Sequence, residues 1–492
     1  MLRAPDAAFA AENLVAEQRY DALVIGAGLS GLAAGIRLAM FGKRVAVLEK
    51  HYLWGGLNSF YKRGGRLFDT GLHALTNYVH KSVSGKPLTR VCRQLRIPWD
   101  ALELVEQDHA CVVSDGAVLR FTNRIAETID AVGELMPHKK DAFAALVADL
   151  AARPLGEEAE PEASARTILM ERLGDPLLVD LLLIPCCWYG SARENDVDWD
   201  QFVILFHSIF LEGLALPKGG VRPLLALFKQ RLADAGGELE RNAEVVRILS
   251  KDGSATGVEL ADGRVLAADV VLSSAGRVET QRLADPAHPV PLDSPLRGRL
   301  SFVETISVLS KDPRELSGGN EHCKTAGVVF FSNRRPFRYE RPAGAVDLAS
   351  GVISLPQNFP GVRVGEEPLL RVTCLANHDA WTGIDGARYD AMKREASDGA
   401  LAAATAFCPD VRPHELFRDV FTPTTVVRYT GHHAGTVYGS PKKVRDGRTS
   451  LAGLHLIGTD QGYLGIVGAA MSGISMANRH VLAAAGATTP TP

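Results

Sequence analysis

The chain has 492 residues, of which 23% are charged, and its formal net charge is −3. This length is sufficient for two domains with a large core, and the balanced charge gives no indication of a nucleic-acid partner or an acidic tail. The seven cysteines are odd in number and lack C-x-x-C spacing, which favours a reducing, cytoplasmic setting over a disulfide framework. Residues 1–18 lack the apolar core of a secretory signal, and no uncharged run approaches the ~20 residues of a membrane-spanning helix. We therefore expect a protein that is soluble or lies on a membrane without crossing it.

A glycine-rich turn between a predicted strand and a predicted helix is the most informative local pattern. Residues 22–25 form an apolar run typical of a buried strand, and Gly26, Gly28 and Gly31 follow in G-x-G-x-x-G spacing. The first glycine permits a tight turn, the second a close approach to a pyrophosphate, and the third close packing of helix on strand. The helix, predicted over residues 32–41, would direct unpaired N–H groups and a partial positive charge at the phosphates.

An acidic residue follows the next predicted strand. The apolar run at residues 45–48 ends at Glu49, about 20 residues after the glycines, where a carboxylate accepts a hydrogen bond from an adenosine ribose. Strand, glycine turn, helix and acid together predict a dinucleotide site. A purely structural glycine turn is the alternative.

The residues after Glu49 favour FAD over NAD. Gly55 and Gly56 are followed by Asn58 and by an F-D-T-G-L-H stretch at residues 68–73. This combination resembles the N-terminal region of the FAD-containing amine-oxidase superfamily, and most closely its phytoene desaturase, carotenoid isomerase and retinol saturase group. The resemblance implies that the Gly-Gly loop follows the pyrophosphate and that the D-T-G-x-H turn lies beside the isoalloxazine. Leu57 stands where many amine oxidases have an arginine, a departure that weakens the amine-oxidase interpretation.

The middle of the chain is predicted to leave the cofactor-binding domain and to return to it. Residues 104–121 predict strands around a turn, residues 124–153 predict two helices separated at Pro137, and residues 156–162 predict an exposed loop. After residue 217, we predict a helix at 223–235, a hairpin that turns at residues 262–263 and a buried strand at 268–276. In the resembling family, the position of Val245 contacts the adenine through its backbone. Residues 286–428 predict several further strands and a long helix.

Two apolar stretches, residues 177–189 and 202–216, flank a charged segment. Each stretch can be a buried helix, the wall of an apolar tunnel or a surface that enters lipid, and a buried helix is the default interpretation. The lipid hypothesis places at least one of Leu182 and Ile209 at a surface entrance. Arg193 and Glu194 lie between the stretches, where a charge could stabilise or protonate a transient carbocation, and a solvated loop is the alternative.

The C-terminal block is predicted to complete the cofactor-binding domain. Residues 454–457 predict a strand that ends at Gly458, and the last helix begins at Gly465. Its N-terminus would face an electron-rich group. The resemblance implies that this group is the N1–C2=O edge of the flavin, and that Asp460 hydrogen-bonds the ribityl or phosphate region. An ordinary strand, loop and helix is the alternative.

We therefore predict an α/β protein with a discontinuous, Rossmann-like FAD-binding domain and a substrate domain of mixed sheet and helices. The predicted bounds are an N-terminal arm at 1–18, FAD-binding parts at 19–80, 218–285 and 429–492, and substrate-domain parts at 81–217 and 286–428. The predicted FAD-binding residues are Gly26, Ala27, Gly28, Ser30, Gly31, Glu49, Lys50, Gly55, Gly56, Leu57, Asn58, Gly71, Leu72, His73, Val245, Gly458, Asp460, Gly465 and Val467. The candidate catalytic residues are His73, Arg193 and Glu194, with a positioning role as the alternative for His73. No metal is predicted, because the His432–His433 pair lacks a third ligand at metal spacing.

The resemblance implies an FAD-dependent oxidoreductase that desaturates, saturates or isomerises carbon–carbon bonds of a lipophilic isoprenoid or polyene substrate. Two alternatives stay open: an amine or porphyrinogen oxidase on the same fold, and a lipid-binding escort protein without enzymatic activity. We expect a lipophilic small-molecule partner, peripheral membrane contact as an option, and a cytoplasmic location.

Overall fold

The computed structural model describes residues 18–155, 163–362 and 367–483. Residues 1–17 of the predicted arm, the predicted loop at 156–162 and the C-terminal tail lie outside this range. Within it, the strands are β1 (Gln18–Ile25), β2 (Val45–Glu49), β3 (Phe60–Arg63), β4 (Arg66–Asp69), β5 (Leu104–Glu106), β6 (Ala110–Ser114), β7 (Ala117–Phe121), β8 (Ala215–Pro217), β9 (Glu238–Arg241), β10 (Val245–Lys251), β11 (Ser254–Leu260), β12 (Val265–Ser273), β13 (Ser301–Leu309), β14 (Val328–Ser332), β15 (Ser350–Ser354), β16 (Leu369–Ala376), β17 (Glu415–Phe421) and β18 (Leu454–Leu456).

The same described ranges also contain α-helices. They are α1 (Leu29–Ala39), α2 (Pro87–Leu95), α3 (Ile125–Leu135), α4 (Lys140–Ala152), α5 (Ala165–Leu173), α6 (Pro176–Gly190), α7 (Trp199–Phe206), α8 (Val221–Asp234), α9 (Arg277–Ala284), α10 (Glu321–Thr325), α11 (Gly386–Ala404), α12 (Pro423–Thr430) and α13 (Gly465–Ala477).

The first sheet is built from strands of distant parts of the chain. Its order is β10-β11-β12-β1-β2-β9, and β18 also pairs with β12. Strands β18, β12, β1, β2 and β9 run parallel, so their carboxyl ends meet at one edge of the sheet. Strands β10 to β12 form an antiparallel extension, which includes the predicted hairpin turn at residues 262–263. This is the arrangement that the α/β prediction requires, and the predicted fold class is confirmed.

The second sheet unites two predicted parts of the substrate domain. Its order is β17-β13-β16-β15-β14-β6-β7, and all its pairs are antiparallel except β14 with β6. Residues Ala400 and Leu401 of α11 pack with Ile353 and Val372 on one face of this sheet. The opposite face is turned toward the first sheet. The domain bounds themselves stay a prediction.

The two apolar stretches are core elements. The first forms α6, and the second forms α7, the turn that follows it and β8. Leu182 and Ile209 are both 0% exposed, so the prediction that one of them lies at a lipid-facing entrance is wrong. The physical reason is that α6 is covered on its sides, for example at Gly190, where an added Cβ would meet Leu205 and Leu464. Among the described residues, no helix has both the length and the hydropathy needed to span a membrane.

Candidate functional site

A cavity of about 530 Å³ lies between the carboxyl edge of the parallel strands and the second sheet. Glycine-rich loops line one end of it, and aromatic and aliphatic side chains line the other. The predicted cofactor residues that line the cavity are Gly26, Gly28, Ser30, Glu49, Lys50, Gly55, Gly56, Leu57, Asn58, Gly71, His73, Val245, Gly458 and Gly465.

The turn from β1 to α1 brings backbone to the cavity without side chains. Gly26 has φ +91°, and a Cβ added at Gly31 would lie 1.9 Å from the Gly26 carbonyl oxygen, so only glycine permits this close packing of helix on turn. A Cβ added at Gly28 would meet no atom within 4 Å, which leaves space in front of it for a ligand. Helix α1 begins at Leu29, three residues before the predicted start, because Leu32 N–H already donates to Gly28 O. No side chain caps this N-terminus, and its first turn contains no acidic residue.

The Gly55-Gly56 loop lies directly on this turn. Gly55 N–H donates to Ala27 O at 2.9 Å, and a Cβ added at Gly56 would lie 3.4 Å from the Gly28 Cα. The D-T-G-x-H turn is packed on the same loop, since a Cβ at Gly71 would lie 2.4 Å from Leu57 O. Three separate segments therefore stack into one glycine-lined wall.

Glu49 is fixed at the carboxyl end of β2. Its Oε2 accepts from Ala27 N–H at 2.9 Å, and its Oε1 accepts from His51 N–H at 2.9 Å. The residue is 8% exposed and lines the cavity. A carboxylate has acceptor sites beyond these two bonds, so Glu49 can also accept from a ribose hydroxyl. Ala27 lies behind the wall and contributes through its N–H rather than through the cavity surface.

A second helix N-terminus opens on the cavity. Helix α13 begins at Gly465, where an added Cβ would lie 2.9 Å from Thr76 Oγ1, and no side chain caps its first turn. Farther along α13, a Cβ at Gly473 would lie 2.0 Å from Ser30 O, so α13 crosses α1 at the start of that helix. Two uncapped N-termini therefore direct N–H groups and positive potential at the same space.

Some of the predicted cofactor residues do not line the cavity. Gly31, Leu72 and Val467 are buried in the packing behind it. Asp460 is 3% exposed, and its carboxylate accepts from Ser440 N–H at 2.6 Å and from Arg277 N–H at 2.5 Å. This carboxylate therefore joins the segments of Ser440 and Arg277 to its own loop beneath the cavity, and a bond from Asp460 to the cofactor stays a prediction.

Arg193 and Glu194 also lie away from the cavity. Arg193 Nη1 is 2.8 Å from Asp198 Oδ1, and Glu194 Oε1 accepts from Arg341 N–H at 2.8 Å. Arg193 joins two parts of the loop between α6 and α7, and Glu194 holds this loop to the segment of Arg341, so the geometry gives a structural role to these two candidates.

Residues that the sequence patterns missed surround His73, which does line the cavity. His73 Nε2 is 3.1 Å from Glu304 Oε2 and 3.2 Å from Thr373 Oγ1, and Glu304 Oε1 is 3.1 Å from Arg371 Nη1. Burial opposes ionisation of Glu304, but the charges of Arg371 and His73 outweigh it and lower the pKa of this carboxyl. The sequence did contain a signal for this pair, namely a glutamate within the apolar run SFVETISVL and an arginine within LLRVTCLA. A charge in a buried strand requires a partner, so each of these residues pointed to the other kind of charge nearby.

A second paired carboxylate lies on the same face of the sheet. Asp419 of β17 lines the cavity, accepts from the Tyr61 hydroxyl at 2.8 Å and lies 2.9 Å from Arg63 Nη1. Burial and the neighbouring Asp419 raise the pKa of Tyr61 well above its ordinary value, so this phenol stays protonated.

The far end of the cavity is aromatic. The ring centroids of Trp188 and Phe302 are 5.3 Å apart, and those of Phe302 and Tyr438 are 6.0 Å apart. The Tyr438 hydroxyl donates to Trp188 O at 2.5 Å, and burial raises its pKa above the ordinary value. With Val352 and Tyr189, these side chains form a surface suited to a flat or extended apolar ligand.

Comparisons with known proteins agree with this geometry. A model of the family described as flavin containing amine oxidoreductase matches residues 29–479. Prolycopene isomerase 2 of the chloroplast from an Oncidium hybrid cultivar is 24% identical over 508 residues, which cover 94% of this chain and 84% of that protein. A neurosporene-forming phytoene desaturase from Rhodobacter capsulatus is 29% identical over 297 residues, which cover 53% of each chain. The crystal structure of an oxidoreductase from Methanosarcina mazei shares the fold, with a TM-score of 0.64 at 17% identity over 94% of this chain and 100% of that one.

Proposed function

Because the chain belongs to the flavin-containing amine oxidoreductase family, we propose that it uses FAD to act on a carbon–carbon bond of a lipophilic polyene. The FAD supplies the hydride acceptor or donor for such chemistry. The observation that carries the proposal is one cavity that joins a glycine-lined end to an aromatic, apolar end.

The glycine-lined end fits FAD. The open space at Gly28 and the positive φ of Gly55 and Gly56 let backbone approach a pyrophosphate, and Glu49 holds a carboxylate at the ribose position. The uncapped N-terminus of α1 favours the phosphates. That of α13 favours an electron-rich ring edge, which supports accumulation of negative charge on a reduced flavin.

The aromatic end fits a polyene better than an amine. Trp188, Phe302 and Tyr438 offer apolar ring surface, and the relatives above are named for the polyenes prolycopene and phytoene. An ammonium group would need an unpaired negative charge. The two carboxylates that the second sheet presents here, Glu304 and Asp419, are each paired with an arginine.

Turnover assays separate the three candidate functions. The FAD-loaded protein is mixed anaerobically with a cis-carotene or with phytoene, each with oxidised or dithionite-reduced flavin, and the pigments are analysed by chromatography. We expect desaturation, saturation or isomerisation of a polyene, and no hydrogen peroxide from putrescine or benzylamine in air. Oxidation of an amine without any change in a polyene would overturn the proposal, and retention of an unaltered lipid with no flavin chemistry would favour an escort protein.

Peripheral contact with a membrane stays a separate proposal. A lipophilic substrate must leave a lipid phase to reach the cavity, so contact between the protein and the membrane surface would help the substrate to enter. Flotation with liposomes at low salt tests it, and wild-type protein that stays in the aqueous fraction would contradict it.

A further inference from the structure

The ring of His73 is held in one orientation by buried groups of the second sheet. Glu304 is ionised and can only accept, so the nitrogen that faces it, Nε2, carries the proton. Thr373 Oγ1 lies 3.2 Å from Nε2 and 3.4 Å from Glu304 Oε2, which completes the contacts on this side. Nδ1 makes no hydrogen bond within the described residues, so its lone pair is free.

His73 lies between the segments that form the two ends of the cavity. Two residues earlier, Gly71 packs on the Gly-Gly loop, and three residues later, Thr76 contacts Gly465 at the start of α13. The ring therefore lies between the predicted pyrophosphate wall and the second helix N-terminus, and it lines the same cavity as Trp188 and Phe302. A group at this point can contact both a bound ring system and an apolar chain.

A buried ion pair lies behind the ring of His73. Glu304 of β13 faces it directly, and Arg371 of β16 holds Glu304 while donating to Asp69 O at 2.5 Å. On the neighbouring strands, Asp419 is paired with Arg63 and accepts from Tyr61, so it is already satisfied. A carboxylate behind the ring fixes the tautomer and stabilises the imidazolium that forms when Nδ1 accepts a proton, as in other histidine–carboxylate pairs.

We propose that Nδ1 of His73 is the proton-transfer atom of this site, with Glu304 and Arg371 as positioning residues. In the oxidative direction, two C–H bonds on adjacent carbons break. One hydrogen leaves as a hydride to the flavin and the other as a proton to Nδ1, while the electron pair of the second C–H bond becomes the new π bond. In the reductive direction, the same atom returns the proton. This inference rests on the proposed function, which identifies the molecule that loses the proton as a polyene.

Nuclear magnetic resonance of the FAD-loaded enzyme tests the arrangement without any substrate. With ¹⁵N- and ¹³C-labelled histidine, the resonance that His73→Gln removes is assigned to His73. We expect its nitrogen shifts to report a proton on Nε2, and this preference for one tautomer to weaken in Glu304→Gln. The exposed His288 is the internal control, because its partner Asp285 is unchanged in these variants. A proton on Nδ1, or a tautomer preference that Glu304→Gln leaves unchanged, would overturn the inference.

Glu304→Gln leaves Arg371 buried without its partner and can fail to fold. The double variant Glu304→Gln/Arg371→Met removes both charges, and we expect it to weaken the tautomer preference of His73 in the same way.

Rapid-mixing kinetics test the chemical role. His73→Gln is expected to slow flavin reduction by a polyene about 10²- to 10⁴-fold, while FAD content and KM are retained. The rate of flavin reduction in this variant should no longer rise with pH. A merely structural role would instead lower FAD content or raise KM. Polyene turnover at the wild-type rate in His73→Gln would overturn the inference and leave the proposed function intact. If His73 shows the expected tautomer but the enzyme alters no polyene, the proposed function is overturned. The proton-transfer assignment would then stand for another substrate.

Discussion

At the level of a single residue, Glu49 combines a structural and a binding role. Its carboxylate holds two backbone N–H groups and faces the predicted ribose. Glu49→Gln loses the charge, and hydrogen bonds to charged groups contribute about 1.5–3 kcal/mol, so we expect FAD affinity to fall roughly 10- to 100-fold. Titration of apoprotein with FAD measures this. Glu259→Gln, which removes an ion pair with Arg247 outside the cavity, is the matched control, and equal affinity in the two variants would refute a role for Glu49 in holding the ribose.

A stacked histidine pair is expected to make the stability of the protein fall at acid pH. The ring centroids of His455 and His480 are 3.7 Å apart, and the buried His455 Nδ1 has no hydrogen-bond partner among the residues that the structure describes. Burial, with repulsion from His480 and Arg448, lowers the pKa of His455 from 6.5 to about 4, and burial lowers that of His480 as well. The unfolded chain therefore binds more protons between these two values. The associated stability is fully present above pH 6.5 and is lost as the pH falls toward 4.

This dependence can be measured by urea unfolding at pH 7 and pH 5. His455→Gln should show a smaller drop in the unfolding midpoint between the two pH values than the wild type does. His288→Gln, at a side chain that is 84% exposed, should keep the wild-type drop. An unchanged drop in His455→Gln would show that this pair does not control acid stability.

At the level of secondary-structure elements, the crossing of α1 and α13 depends on Gly473. An added Cβ would lie 2.0 Å from Ser30 O and 3.0 Å from Ala34 N, which are backbone atoms that cannot rotate away. Alanine normally stabilises a helix interior by up to about 1 kcal/mol relative to glycine. Here we expect Gly473→Ala to cost about 1–3 kcal/mol through overpacking, and to release FAD, because both helix N-termini would be displaced.

Gly133→Ala in α3 is the matched control. Its added Cβ would meet side-chain atoms of Lys140, the nearest being Cδ at 2.6 Å, and this flexible side chain can shift because it is 45% exposed and its ion pair with Asp130 lies at the surface. Urea unfolding and FAD retention during dialysis distinguish the two variants. Equal stability of Gly473→Ala and Gly133→Ala would contradict the close-crossing argument.

For the molecule as a whole, the predicted FAD site is built from distant parts of the chain. The cavity is lined by residues between Ile25 and Ala469, and strands β1, β2, β9, β12 and β18 of one sheet come from widely separated segments. A ligand that binds only the folded state stabilises it by about 2.7 kcal/mol at 100 times its Kd. We therefore expect the Tm of apoprotein to rise with added FAD, and Glu49→Gln to need a higher FAD concentration for the same rise. A Tm that is independent of FAD would indicate that these segments are held together without it.

The FAD-binding end was predictable because its signals are local. Each of Gly26, Gly28, Gly31 and Glu49 has a role that a strand, a tight turn and a helix impose at fixed offsets along the chain. The strand and the glycine turn that precede α13 belong to the same kind of pattern. Backbone requirements of this sort are visible in one sequence, since only glycine tolerates them.

The proton-transfer cluster and the fate of the apolar stretches were not predictable in this way. Glu304 and Arg371 lie on different strands, and the register of β13 against β16 is what brings them under His73. Asp460 has the expected spacing after β18, yet its carboxylate is used by Arg277 N–H and Ser440 N–H from loops distant in sequence. Hydropathy alone did not distinguish a core helix from a lipid-facing one at residues 177–189, because both are apolar. The partners of a side chain and its burial depend on which segments meet in space. Long-range strand pairing determines which segments meet, and it produces no pattern of residues at fixed offsets along the chain.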